Sequence, residues 1–170
     1  HALTYLTKKE VITNLFTLAE NGLIFELQMS IENIEAVKQL AKILTTIPQL
    51  KIVVNHAGWP PLQLDEINKS LINDWYDGLA ILSQHQQCFI KCSGFEMIDR
   101  NYSENWQCNI IKSCISTFGI ERVMLASNFP LCLFSTSYQN YWQNYQSSST
   151  FSKQELSFLC YENAKAIYRL

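Results

Sequence analysis

The sequence predicts an α/β fold in which parallel strands are covered by helices, and three observations carry that reading. Short apolar runs alternate with longer stretches of helical periodicity, four times over. Each run is followed by a loop and then a helix, the crossover that parallel neighbours need. The runs "LIFELQ", "KIVVNHAG", "CFIKCSG" and "RVMLASN" all turn polar toward their carboxyl ends.

Taken in order, the first element is a helix in "LTKKEVITNLFTLAENG". Thr7 and Glu10 have capping-box spacing, Val11, Leu15, Leu18 and Ala19 recur at helical intervals, and Asn21-Gly22 supplies the stop. A strand over 23–28 follows. The helix in "SIENIEAVKQLAKIL" is expected to start at a Ser30 cap and to place Ile34, Val37, Leu40, Ala41 and Leu44 on one face. The unit recurs as strand 51–58, the stiff loop Trp59-Pro60-Pro61 and a helix within 70–86. Strand 88–94 leads to a helix over about 103–118, which Gly119 closes. Strand 122–128 leads to helical segments near 135–146 and 152–168, the latter opened by a capping box from Ser152 to Glu155.

Four such units fit either an open doubly wound sheet or part of a closed barrel of eight. Side chains alternate along a strand, so Ile24, Glu26 and Gln28 share a side, as do Ile52, Val54 and His56, and Phe89, Lys91 and Ser93. Strands buried on both faces read as near-continuous Val, Ile and Leu, whereas a barrel interior holds polar groups near its catalytic rim. The polar ends favour a barrel of the TIM (β/α)8 type. Consecutive strands are then adjacent, in sequence order, through right-handed crossovers. An open domain binding a nucleotide or phosphate is the weaker alternative, since no Gly-rich loop follows any strand.

The 170 residues are read as a single domain, 1–170, with 48% hydrophobic and 16% charged residues, as in a soluble globular protein. A net charge of −2 and scattered Lys and Arg give no stripe for phosphates, so no nucleic-acid partner is expected. No apolar run nears the roughly 18 residues that span a bilayer, and no cleavable leader is readable. A cytoplasmic protein without membrane contact is the expectation. Six cysteines form no C-x-x-C pair and read as small hydrophobes. The chain starts at His1 and is read as a piece of something longer.

The candidate site residues sit where strands end. His56 precedes the Trp59-Pro60-Pro61 loop, where barrel enzymes place working groups, and a neutral imidazole there could move a proton or ligate a metal. Glu26 and Lys91 are mid-strand charges that each need the other if both point inward, with anionic substrate as a second role for Lys91. Gln28 and Ser93 stand one step nearer the rim as polar contacts. Ser127 and Asn128 close the last strand in "ERVMLASNFPLC"; an amide there has no titratable carboxylate. No H-x-H, H-E-x-x-H or G-x-S-x-G occurs, so no complete catalytic set is readable.

In sequence order, "GLIFELQM", "PQLKIVVNHAGWPP", "CFIKCSGF", "ERVMLASNFPLC" and "YENAKAIYRL" resemble landmarks of the amidohydrolase-related family, in the metal-dependent hydrolase superfamily. The likeness is to the C-terminal half of its lactonase-like branch, which includes L-fuconolactonase and pyrone dicarboxylate lactonase, and spans about residues 5 to 170. It implies a (β/α)8 barrel of which only the last four units are present, against the roughly 250 residues of a whole one. It also implies that His56 matches the histidine of a D-H-x-G-x-P motif, with Asn55 in place of Asp. Asn128 likewise matches the aspartate of a G-S-D-W-P motif, which activates water or binds metal, and the family's H-x-H strand has no counterpart here.

The function implied by the resemblance is that of a hydrolase of a small cyclic ester or amide, impaired in this chain by Asn128 and by the missing strand. His56 and Asn128 are its catalytic candidates, and Gln28, Lys91, Ser93 and Trp59 its substrate-binding ones. A divalent metal such as zinc belongs to a complete barrel; in the chain itself only His56 is a candidate ligand. The open strand edges call for an N-terminal half-barrel or a second copy as partner. The other reading is a non-catalytic remnant whose mouth binds a ligand or a partner chain.

Overall fold

The computed structural model describes residues 2–62, 69–147 and 149–170. Its strands β1 (Ile24–Leu27), β2 (Lys51–Val54), β3 (Cys88–Cys92) and β4 (Val123–Leu125) form one parallel sheet in the order β1-β2-β3-β4. Sequential parallel order is the arrangement of barrel strands and differs from the reordered sheet of a doubly wound fold. The helices are α1 (Ala2–Leu6), α2 (Lys9–Glu20), α3 (Ile34–Thr46), α4 (Lys69–Ser83), α5 (Glu104–Phe118), α6 (Tyr138–Ser147), α7 (Lys153–Ser157) and α8 (Asn163–Tyr168). A π-helical turn, Phe158–Glu162, joins the last two.

Each face of the sheet has its own cover. Leu27, Ile52, Val54, Cys88, Ile90, Cys92, Val123 and Leu125 bury one face against apolar stripes that include Val37, Leu40 and Leu44 of α3, Leu79 of α4 and Ile111 of α5. The opposite face, carrying Ile24, Val53, Phe89 and Met124, packs against Ala164, Ile167 and Tyr168 of α8. The register pairs Glu26 with Val53 and Lys91 with Met124. This corrects one expectation: Ile52 and Val54 lie on the helix side, while Glu26 and Lys91 share the other face with Val53. Alternation groups His56 with Ile52 and Val54, but β2 ends at Val54 and a turn intervenes.

Two predicted caps are also displaced. The Thr7 hydroxyl donates to the Thr4 carbonyl because a short helix, α1, precedes it, and α2 begins after Lys8 with no side-chain cap. Helix α3 is capped by Asn33, whose Oδ1 accepts from the Ala36 amide at 3.2 Å, rather than by Ser30. The intervening Ile31 is wholly buried and donates its amide to the Gly58 carbonyl, which postpones the helix by a turn. Its side chain fills the space a Cβ would need at Gly58, 2.6 Å from Ile31 Cδ1. The Ser152–Glu155 capping box is present in both halves.

Asn163 ties the C-terminal segment to β4, donating to the carbonyls of Ile120 and Val123 at 2.7 Å each. Because the Ala126 amide bonds across to Cys92 of β3, the Val123 carbonyl points to the outer edge. One edge group is thereby satisfied. No further strand pairs with the outer edges of β1 or β4 among the described residues.

Candidate active site

The carboxyl end of β2 runs into a turn whose backbone is left-handed at four successive residues: His56 (φ 55°), Ala57 (φ 50°), Gly58 (φ 69°) and Trp59 (φ 61°). For the three that carry a Cβ this costs about 1–2 kcal/mol each, and such strain persists only where the surroundings enforce it. Enforcement is visible. Trp75 Nε1 donates to the Ala57 carbonyl at 2.9 Å, Ile31 holds Gly58, and the Trp59 amide closes onto the His56 carbonyl at 2.9 Å.

The turn brings His56 Nδ1 within 3.1 Å of Ser93 Oγ, just past β3, and sets Trp59 edge-on to the imidazole at 5.4 Å between centroids. Gly94 (φ 69°) lets the backbone approach this closely: a Cβ there would overlap Nδ1 and lie 2.8 Å from Cγ. His56 and Ser93 are both buried. Burial lowers the histidine's pKa, with the nearby Glu96 carboxylate opposing the shift. The ring is therefore neutral near pH 7 and able to accept a proton or hydrogen bond.

Asn128 follows β4 in the same left-handed conformation (φ 57°). Its Nδ2 donates to Glu96 Oε1 at 2.6 Å and contacts Met97 Sδ at 3.2 Å. Glu96, in the turn Phe95–Met97 directly after Gly94, is 4% exposed, and its Oε2 has no hydrogen-bond partner. This carboxylate escaped sequence reasoning, although an acid two residues past the polar end of a strand, in "CSGFEMID", was the available signal. Ser127 is a turn residue here, its Oγ accepting from the Phe129 amide.

Gln28 and Trp59 line one open depression of about 640 Å³ with Met29, Ser30 and Glu32. Lys91 stands elsewhere. Its ammonium binds Glu26 Oε2 at 2.8 Å and Tyr168 at 3.4 Å, and Tyr168 also hydrogen-bonds Glu26. Asn55, next to His56, stands near the same Glu26 carboxylate. Thus His56 pairs with Ser93 and Asn128 with Glu96 at the strand ends, the Glu96 charge reaches His56, Trp59 borders His56 and shares its depression with Gln28, and Lys91 belongs to a tether between the sheet and α8.

Burial raises the Glu26 pKa, but the hydrogen bonds from Lys91 and Tyr168 and the Lys91 charge outweigh it, leaving a net lowering from 4.5. A carboxyl depressed in the folded state stabilises above its unfolded pKa, and that contribution is lost as pH falls through the folded value. Urea melts should therefore lose stability below about pH 4.5 more steeply in the wild type than in Glu26→Gln; equal slopes would show that the tether is not linked to pH.

Among the described residues no three His, Cys, Asp or Glu side chains converge to hold a metal ion. His56 and Glu96 are of suitable chemistry but fall short of the three or four protein ligands a tight site uses. The donors present among the described residues do not fit a resident metal by themselves.

Successive parallel β/α units in sequential order, with a polar cluster at their carboxyl ends, define part of a TIM-type barrel. A family model described as amidohydrolase matches residues 14–170, and the chain belongs to that family. It is 30% identical over 176 residues to the uncharacterized protein y4mH of Sinorhizobium fredii, covering 99% of this chain and 57% of that one. An amidohydrolase from Burkholderia multivorans superposes with a TM-score of 0.83 at 20% identity over 99% of this chain and 60% of its own, and with 0.81 in a crystal form with bound zinc. A proposed 2-pyrone-4,6-dicarboxylic acid hydrolase from Pseudomonas putida gives 0.74 at 20% identity, over 97% and 58%. The fold is that of the amidohydrolase TIM barrels, and the chain spans somewhat under two thirds of the length of these relatives. No helix among the described residues is long and apolar enough to cross a membrane.

Proposed function

We propose that this chain is the C-terminal half of an amidohydrolase-type barrel that hydrolyses a small cyclic ester or amide. The observation that supports it is the cluster of His56, Ser93, Glu96 and Asn128 at the carboxyl ends of β2, β3 and β4, where barrel enzymes do their chemistry. Neutral His56 accepts a hydrogen bond or a proton, the buried Ser93 orients it, and the Asn128 amide holds substrate or water. Gln28 and Trp59 contact the rest of the substrate from their shared depression. Lys91 reaches an anionic substrate only by giving up Glu26. The four missing strands come from an N-terminal half-barrel that covers the edges of β1 and β4, and a divalent metal in the completed barrel would draw further ligands from there.

A second reading, a non-catalytic remnant that binds a ligand or partner chain, draws on the Asn at position 128 and on the short ligand count. Turnover decides between them. In the full-length protein, a lactone panel that includes dihydrocoumarin should be hydrolysed, and His56→Ala should lower kcat/KM by about 10² or more. A complete absence of turnover across the panel would favour the remnant.

A further inference from the structure

We propose that Glu96, delivered from the loop after β3, is the functional carboxylate of this mouth and does the work that Asn128 cannot. The proposal rests on the lactonase reading for its chemistry and on two observations for its geometry. The first is that the carboxylate is held rather than loose: Oε1 accepts from Asn128 Nδ2 at 2.6 Å and the side chain is 4% exposed. The second is that Oε2 is buried with no donor. A buried carboxylate oxygen left unmatched costs stability, because it has given up water without a replacement.

Neighbouring hydroxyls do not relieve it. The Tyr141 phenol donates to the Ala126 carbonyl at 2.9 Å, and neither Tyr102, which feels the Glu96 charge, nor the buried and equally unpartnered Gln107 Nε2 hydrogen-bonds Oε2. Asn128 has committed its amide nitrogen to Oε1 and Met97. Oε2 is thus left for a donor that the described residues do not supply, and a water or a substrate hydroxyl is the donor a hydrolase brings.

In the step this assigns, Glu96 Oε2 takes a proton from water as the water oxygen bonds to the carbonyl carbon of the lactone. The ring C–O bond then breaks, and the carboxyl proton passes to the departing alkoxide, so that one water is added across the ester. Asn128 keeps Glu96 aimed, and position 128 is an amide because a second carboxylate there would repel the first.

The test is Glu96→Gln in the full-length protein, since Gln retains an acceptor for Asn128 but cannot take the proton. The expected result is a fall of about 10²-fold or more in kcat on dihydrocoumarin with KM within a few-fold, and a Tm equal to or above that of wild type. Activity within threefold of wild type would overturn the role of Glu96 and leave the lactonase reading standing. Should the wild type hydrolyse no lactone, that reading falls and Tm decides the rest. An unchanged or raised Tm in Glu96→Gln supports a carboxylate kept for a ligand at the expense of stability, and a drop of several degrees overturns it, making Glu96 a structural tether.

Discussion

Replacing Trp75 with Ala is expected to cost about 3–5 kcal/mol, a large part of the 5–15 kcal/mol that a domain of this kind has to lose. Trp75 is 1% exposed in α4 and packs in the main core, so truncation leaves a large cavity. It also removes the Nε1 donor that holds the Ala57 carbonyl at 2.9 Å, in the middle of the left-handed turn that carries His56. Trp75→Phe separates the two losses. It keeps most of the apolar volume and leaves the carbonyl unmatched, for an expected cost of about 1–3 kcal/mol. Urea midpoints at constant m-value measure both. If the turn depends on this hydrogen bond, Trp75→Phe also shifts the His56 ring resonances; unchanged resonances would mean that Ile31 and Gly94 alone suffice to hold the turn.

The Trp75 contact shows what kind of information a single sequence lacks. Helix α4 can be placed from its periodicity, but nothing in its letters says that its tryptophan pins a carbonyl at the end of β2. The strands are legible because four short apolar runs alternate with helical stretches, and sequential parallel order follows from the barrel that their polar ends favour. The Ser152 cap is legible because its box is local. Thr7 and Ser30 have similar chemistry and fail for different reasons: the adjacent α1 claims Thr7, and burial of Ile31 against the distant Gly58 delays α3. Alternation puts His56 on the helix side, and it reaches the rim because the chain leaves β conformation after Val54.

Glu96 is the instructive omission. The resemblance draws attention to positions 55 and 128 because each is Asn where the family's motifs imply Asp. In the structure the Asn128 amide is hydrogen-bonded to Glu96 from another segment, and Asn55 stands beside the Glu26 carboxylate. An aspartate at either position would set two carboxylates side by side, which forces one of them to stay protonated. Asn128 and Glu96 are therefore a matched pair, and a motif comparison that looks only at position 128 sees loss where charge has been relocated.

That relocation fixes the sign of the final prediction. The isolated 170-residue chain is expected to hold no stoichiometric zinc and to hydrolyse no lactone, because the described residues converge no three acidic, thiol or imidazole ligands and half the barrel wall is absent. Asn128→Asp should leave both results unchanged. In a barrel completed by an N-terminal half, for which the corresponding part of the rhizobial relative is a natural donor, Asn128→Asp should lower kcat/KM by about 10²-fold, not raise it. The new carboxylate would stand where Nδ2 now lies 2.6 Å from Glu96 Oε1, and the pair would share a proton that disables Glu96 as a base. Adding Glu96→Gln to Asn128→Asp removes the conflict and should recover part of the loss, since the introduced aspartate is then the lone acid of the mouth. Metal analysis of the purified chain and kcat/KM for the four combinations of residues 96 and 128 measure this. A gain of activity from Asn128→Asp beside an intact Glu96 would show that the two side chains are not coupled, and zinc-bound turnover by the isolated chain, abolished by His56→Ala, would show that the half-barrel is already an enzyme.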